Sequence, residues 1–106
     1  MRPIIVYKCP LDESVPVVEV PFGDVMGTKS HAFLVQTDTE AVIVVDANIR
    51  DADWFTPHHL TAIFAHELGH LARGTDEELA ERWAIDRLAE LKERHARDLL
   101  IERGIA

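Results

Sequence analysis

Five residues, His66-Glu67-Leu68-Gly69-His70, constrain the fold of this chain more than any other feature. Histidines at this spacing come to one side of the backbone on a helix, about 6 Å apart along the axis and about 40° around it. Both imidazoles then reach a single metal ion, which is half of a zinc site. Glu67 lies between them in sequence, where a carboxylate acts on a metal-bound water instead of ligating the metal.

The flanking residues supply the helix. Thr56 suits the N-cap and Pro57 the first helical position, while Leu60, Phe64, Leu68 and Leu71 recur at spacings of three and four. The pattern predicts a helix over residues 57–72. His59, Ile63, His66 and His70 share the adjacent face, so the ligand pair borders the core. Gly69 inside a helix costs about 1 kcal/mol relative to Ala, which calls for a reason such as close approach of a neighbouring backbone. His58 and His59 sit in the first turn and read as exposed; His31 and His95 have no partner in sequence.

Arg73-Gly74-Thr75 breaks the helix, and Thr75 with Glu78 reads as a capping box that opens a second one. That helix is expected to run to Arg103 and stop at Gly104, a length that calls for a kink around His95 or a protruding tail. Along it Glu77, Ala80, Ala84, Leu88 and Leu91 form a small, apolar stripe. Ala80 and Ala84 would let the two helices approach closely, which accounts for Gly69.

A hydrolytic zinc site takes three protein ligands and keeps one position open. Glu77 heads the inward stripe and is the acid best placed to complete the set. Asp76 is the rival, with the offset of the third ligand in H-E-x-x-H-x-x-G-x-x-H/D, although Gly74 falls one place late for that pattern. Glu81, one turn further on, is placed to orient a histidine through its free ring nitrogen or to pair with an Arg.

Upstream, residues 31–37 and 41–47 read as strands joined by the polar turn 38–40, a hairpin. Residues 4–7 and 15–20 are also β-branched, but Pro10, Pro16 and Pro21 confine them to edge strands or irregular extended chain. The strand over 41–47 is the expected edge for aligning an extended peptide. Asp46 is expected to cap a turn, and Cys9, the sole cysteine, to be a small buried hydrophobe. The expected class is α+β: one domain of 106 residues, with a small, mostly antiparallel sheet packed on the motif helix and the glutamate-bearing helix.

A net charge of −8 argues against nucleic acid or an anionic membrane as partner, since both reward clustered Lys and Arg. No apolar run approaches the roughly 18 residues of a membrane span, and the N-terminus turns polar too soon for a signal peptide, so a soluble, cytoplasmic protein is expected. Leu88, Leu91, Leu99 and Leu100 on a charged helix suggest a dimer seam, but Arg94, His95 and Arg97 interrupt it. A monomer in which the tail covers its own chain is the equal alternative.

The motif followed by Glu77-x-x-Ala80-Glu81-x-Trp83-Ala84-x-Asp86-x-Leu88 resembles the glutamate-zincins, in which a short H-E-x-x-H helix precedes a helix bearing E-x-x-A-[DN]-x-[FW]-A. The chain looks most like the single-domain minigluzincins and is also similar to the metallopeptidase domain of ImmA/IrrE-type proteins, over about residues 56–91. The resemblance implies Zn2+ held by His66, His70 and Glu77, with Glu67 as general base and Glu81 in the place of a supporting acid. It implies hydrolysis of a peptide or protein substrate. Glu81 is one methylene longer than the Asp often found there. No Tyr follows the motif and the only later His is His95, so the side chain that usually polarises the scissile carbonyl has no obvious occupant. A catalytically latent zinc-binding interaction module of the same fold is the alternative.

Overall fold

The structure is a computed structural model that describes residues 4–21 and 31–102. It is α+β, and the chain divides into two compact units, Met1–Phe55 and Thr56–Ala106. The first holds strands β1 (Ile5–Cys9), β2 (Asp12–Val20), β3 (Ala32–Gln36) and β4 (Ala41–Asp46), followed by a 3-10 turn over Ala47–Asp51. The second holds helices α1 (Pro57–Arg73), α2 (Glu77–Glu90) and α3 (Arg94–Glu102).

The sheet order is β1-β2-β4-β3. β3 and β4 form the expected antiparallel hairpin, closed by the Thr37 amide donating to the Glu40 carbonyl at 2.8 Å. β1 and β2 are also antiparallel, but β2 runs parallel to β4 from Val17 opposite Ile43 to Val20 opposite Asp46, so the sheet is mixed. This corrects the expectation that residues 41–47 present an edge: β4 is paired on both sides, and the edges are β1 and β3. The unbroken apolar run Ala41 to Val45 is what such an interior, parallel-paired strand requires.

β2 is interior too, despite Pro16. The proline lies opposite Lys8, beside an irregularity in the β1 register, and one residue before the β4 ladder begins. Its missing N–H therefore falls where no β4 partner needs it. Pro10 and Pro21 behave as expected, one in the β1–β2 turn and one just past β2.

Val15, Val17 and Glu19 alternate onto the buried side of β2, and the acid is only 1% exposed. Its charge is matched by Arg50 of the 3-10 turn, whose Nε and Nη2 both donate to the carboxylate at 2.7 Å, while the Tyr7 hydroxyl donates to the same group. Burial, then the Glu19 contact, pushes the Tyr7 hydroxyl well above its ordinary value; the Glu19 contact likewise holds Arg50 protonated. Losing Arg50 would leave the buried carboxylate unmatched, so this triad ties the turn to the sheet, although the Arg50 side chain itself is 35% exposed. Asp46 caps the turn by accepting the Asn48 amide at 3.1 Å, and Cys9 is buried and free, both as expected.

In the helical unit α1 starts at Thr56 and Pro57 as expected, but the reciprocal cap is a histidine. His59 Nδ1 accepts the Thr56 amide at 3.2 Å and lies 2.8 Å from the Thr56 hydroxyl. His59 is therefore buried, not exposed. Burial, then the charge of His58, lowers its pKa and favours the neutral ring.

α2 begins one residue later than the Thr75 cap implied: Asp76 is the N-cap and accepts the Leu79 amide at 3.1 Å. Asp is the stronger N-cap, and its carboxylate reaches the amide three residues on, so it takes the position from Thr75. The expected long helix is two helices, the break falling just before His95, where a kink was one of the two alternatives. Lys92 adopts φ 60°, and the bonds Lys92 N–H to Ala89 and Glu93 N–H to Leu88 close a Schellman end before α3 restarts. The expected terminus at Gly104 lies outside the described residues. α3 contacts both α1 and α2, and Leu88 and Leu100 are buried, which removes them from any dimer seam. Among the described residues no helix is long and apolar enough to cross a membrane.

Candidate metal centre

α1 and α2 meet at Gly69, where α1 has no side chain to interpose and α2 has only those of Ala80 and Ala84. A Cβ added to Gly69 would lie 2.2 Å from the carbonyl oxygen of Ala80, far inside van der Waals contact. Ala80 and Ala84 are fully buried along this seam. The approach brings the first residue of α2 over the two histidines of α1.

Glu77 takes up that position. Its carboxylate oxygens lie 3.0 Å from His66 Nε2 and 3.2 Å from His70 Nε2. The three residues offer ligand atoms that all lie within 4.8 Å of one another. Donors held about 2.0–2.1 Å from a tetrahedral zinc ion sit about 3.3 Å apart, so the spacing fits a shared ion. The donor types fit as well: two imidazoles and one carboxylate, the other tetrahedral position being left open. Glu77 is 75% exposed while His66 and His70 are 23% and 15% exposed, so the open side lies with the carboxylate.

The tautomer of His70 follows from its other nitrogen. Nδ1 lies 2.8 Å from the carbonyl oxygen of Gly74, which can only accept, so Nδ1 carries the proton and Nε2 presents its lone pair. Gly74 can aim its carbonyl there because it adopts φ 82°, ψ −154°, a conformation open to glycine. Its amide meanwhile donates to the His70 carbonyl at 2.8 Å. For His70 this orienting group is backbone; Glu81, the acid expected to orient a histidine or pair with an Arg, is half-buried on α2. The signal for the backbone group was present as a glycine four residues beyond the second histidine.

Glu67 is buried beside the three donors. Burial pushes its carboxyl up to about 7, with the charge of His70 pulling it down and that of Glu77 pushing it further up. A cation on the three donors adds the opposite sign and returns the carboxyl toward ionisation. Asp76, the rival ligand, is committed to its cap. Of the remaining histidines, His58 and His95 stack on each other and His31 packs against Trp54 with ring centres 5.3 Å apart.

Compared with protein-family models, with curated proteins and with solved structures, the chain matches none of them.

Proposed function

We propose that the chain is a zinc-dependent metallopeptidase of the H-E-x-x-H type acting on a peptide or protein substrate in the cytoplasm. The observation that carries this reading is the convergence of His66 Nε2 and His70 Nε2 on the Glu77 carboxylate, with Glu67 buried alongside. Zinc, when bound, supplies Lewis acidity toward a carbonyl and makes water a nucleophile near neutral pH. His66, His70 and Glu77 hold it, and Gly74 keeps the His70 lone pair aimed. Glu67 takes a proton from the attacking water on its carboxylate and returns it to the nitrogen of the leaving amine. Its burial excludes bulk water from that transfer.

A catalytically latent zinc-binding module is the second reading, and one observation favours it. The only tyrosine, Tyr7, precedes the motif and donates to Glu19, so no tyrosine follows the motif to polarise a substrate carbonyl; the one histidine that does, His95, stands at the start of α3 with its ring against His58.

Peptide hydrolysis measured with and without chelator, beside zinc content, tests both. Glu67→Ala should keep its zinc and lose about 10²–10⁴ in turnover, and Glu77→Ala should lose the metal. Zinc retained by Glu77→Ala would sink the ligand assignment. A wild-type protein that holds zinc and cleaves nothing would establish the latent module.

A further inference from the structure

His58 and His95 are separated by most of the helical unit in sequence, yet their rings meet with centres 4.6 Å apart and planes inclined by 36°. His58 stands in the first turn of α1 and His95 in the first turn of α3, and both are exposed. Exposed imidazoles gain little from stacking on each other. Two of them this close, carried by separate helices, are near enough for one nitrogen of each ring to reach a shared ion.

We propose that His58 and His95 form a second metal site, a two-histidine clasp for a late divalent transition-metal ion, which ties α3 to the start of α1. Ring nitrogens bound about 2.0–2.1 Å from an ion stand at most about 4 Å apart, a span that rings 4.6 Å between centres can meet by small rotations about the side-chain bonds. Imidazole donors select zinc, nickel and copper over magnesium or calcium, with copper bound most tightly. Among the described residues no third His, Cys, Asp or Glu joins the pair in a three-donor cluster. Water fills the remaining positions, so the ion exchanges readily. His59, next in the chain, does not compete through Nδ1, which is held by Thr56. Because the two histidines come together only when α3 is docked, ion binding stabilises the docked helix by mass action. The site owes nothing to His66, His70 or Glu77.

Nickel titration by calorimetry, with the thermal midpoint followed in parallel, tests the clasp. The wild type should bind two equivalents, and His58→Gln or His95→Gln, both surface changes, should bind one. In a His66→Ala, His70→Ala double variant one equivalent should remain and still raise the midpoint; adding His95→Gln should abolish both effects. Equal stoichiometry in wild type and His95→Gln would overturn the clasp. A double variant that binds as much nickel as the wild type would instead count against the centre proposed above, so the two readings fail separately.

Discussion

The ring of His70 donates through Nδ1 to the carbonyl of Gly74 at 2.8 Å, and the amide of Gly74 donates back to the carbonyl of His70. One glycine thus ends the motif helix and sets the tautomer of His70, one of the three candidate donors.

Substitution at this point should be felt at the metal. Gly74→Ala leaves open space around the new methyl but strains a backbone at φ 82°. Relaxing that strain swings the carbonyl away from His70. Loss of such an outer contact lowers metal affinity about 10–100-fold. Competition with a zinc chelator should show this loss, and an unchanged affinity would remove the orienting role from Gly74.

At Gly69 the obstacle is steric. Ala has the better helix propensity by about 1 kcal/mol, yet its Cβ would meet the Ala80 carbonyl oxygen at 2.2 Å. Forcing the two backbones apart costs more than the propensity returns, by about 1–3 kcal/mol. Gly69→Ala should therefore lower the urea midpoint and weaken zinc binding together; a more stable variant would contradict the close approach.

Lys92 offers the opposite case. A side chain in the left-handed region costs about 1 kcal/mol, and the Schellman end needs only the backbone. Lys92→Gly recovers part of that cost against its greater freedom when unfolded. A stabilisation of about 0.5 kcal/mol is expected from chemical denaturation, with zinc binding unchanged.

The cap of α1 gives the unit a pH dependence. His59 accepts the Thr56 amide in its neutral form, and its pKa is lowered in the fold. Below about 6.5 the unfolded chain binds a proton that the folded one refuses. Stability is therefore full above that value and declines as pH falls toward the depressed one. Gln at the same position accepts the amide without titrating. The difference in stability between His59→Gln and wild type should shift in favour of the variant on going from pH 7.5 to 5.5, and a constant difference would remove His59 as the cause.

The parts of the fold legible in the sequence were those set by neighbours along the chain. Thr56-Pro57 marked the start of α1, the turn at 38–40 marked the hairpin, and Gly69 with Ala80 announced the close seam. The convergence of His66, His70 and Glu77 was legible for the same reason, since both helices carry these side chains at fixed phase. Long-range pairing was not. Nothing local tells β4 that β2 lies parallel beside it, or Glu19 that Arg50 and Tyr7 will meet it. Lys92 concealed a helix end because that end is written in backbone bonds and not in a glycine. His58 and His95 found each other only once α3 had turned back.

Asp76 caps and Glu77 faces the histidines, two adjacent acids with unrelated duties. The break at Gly74 and Thr75 between the two helices sets where the second one starts, and so how far Glu77 stands from His70. One residue inserted or deleted there would displace Glu77 from the histidines, so homologues that keep the three donors together should hold this segment's length, with Gly74 and Asp76 its constrained positions.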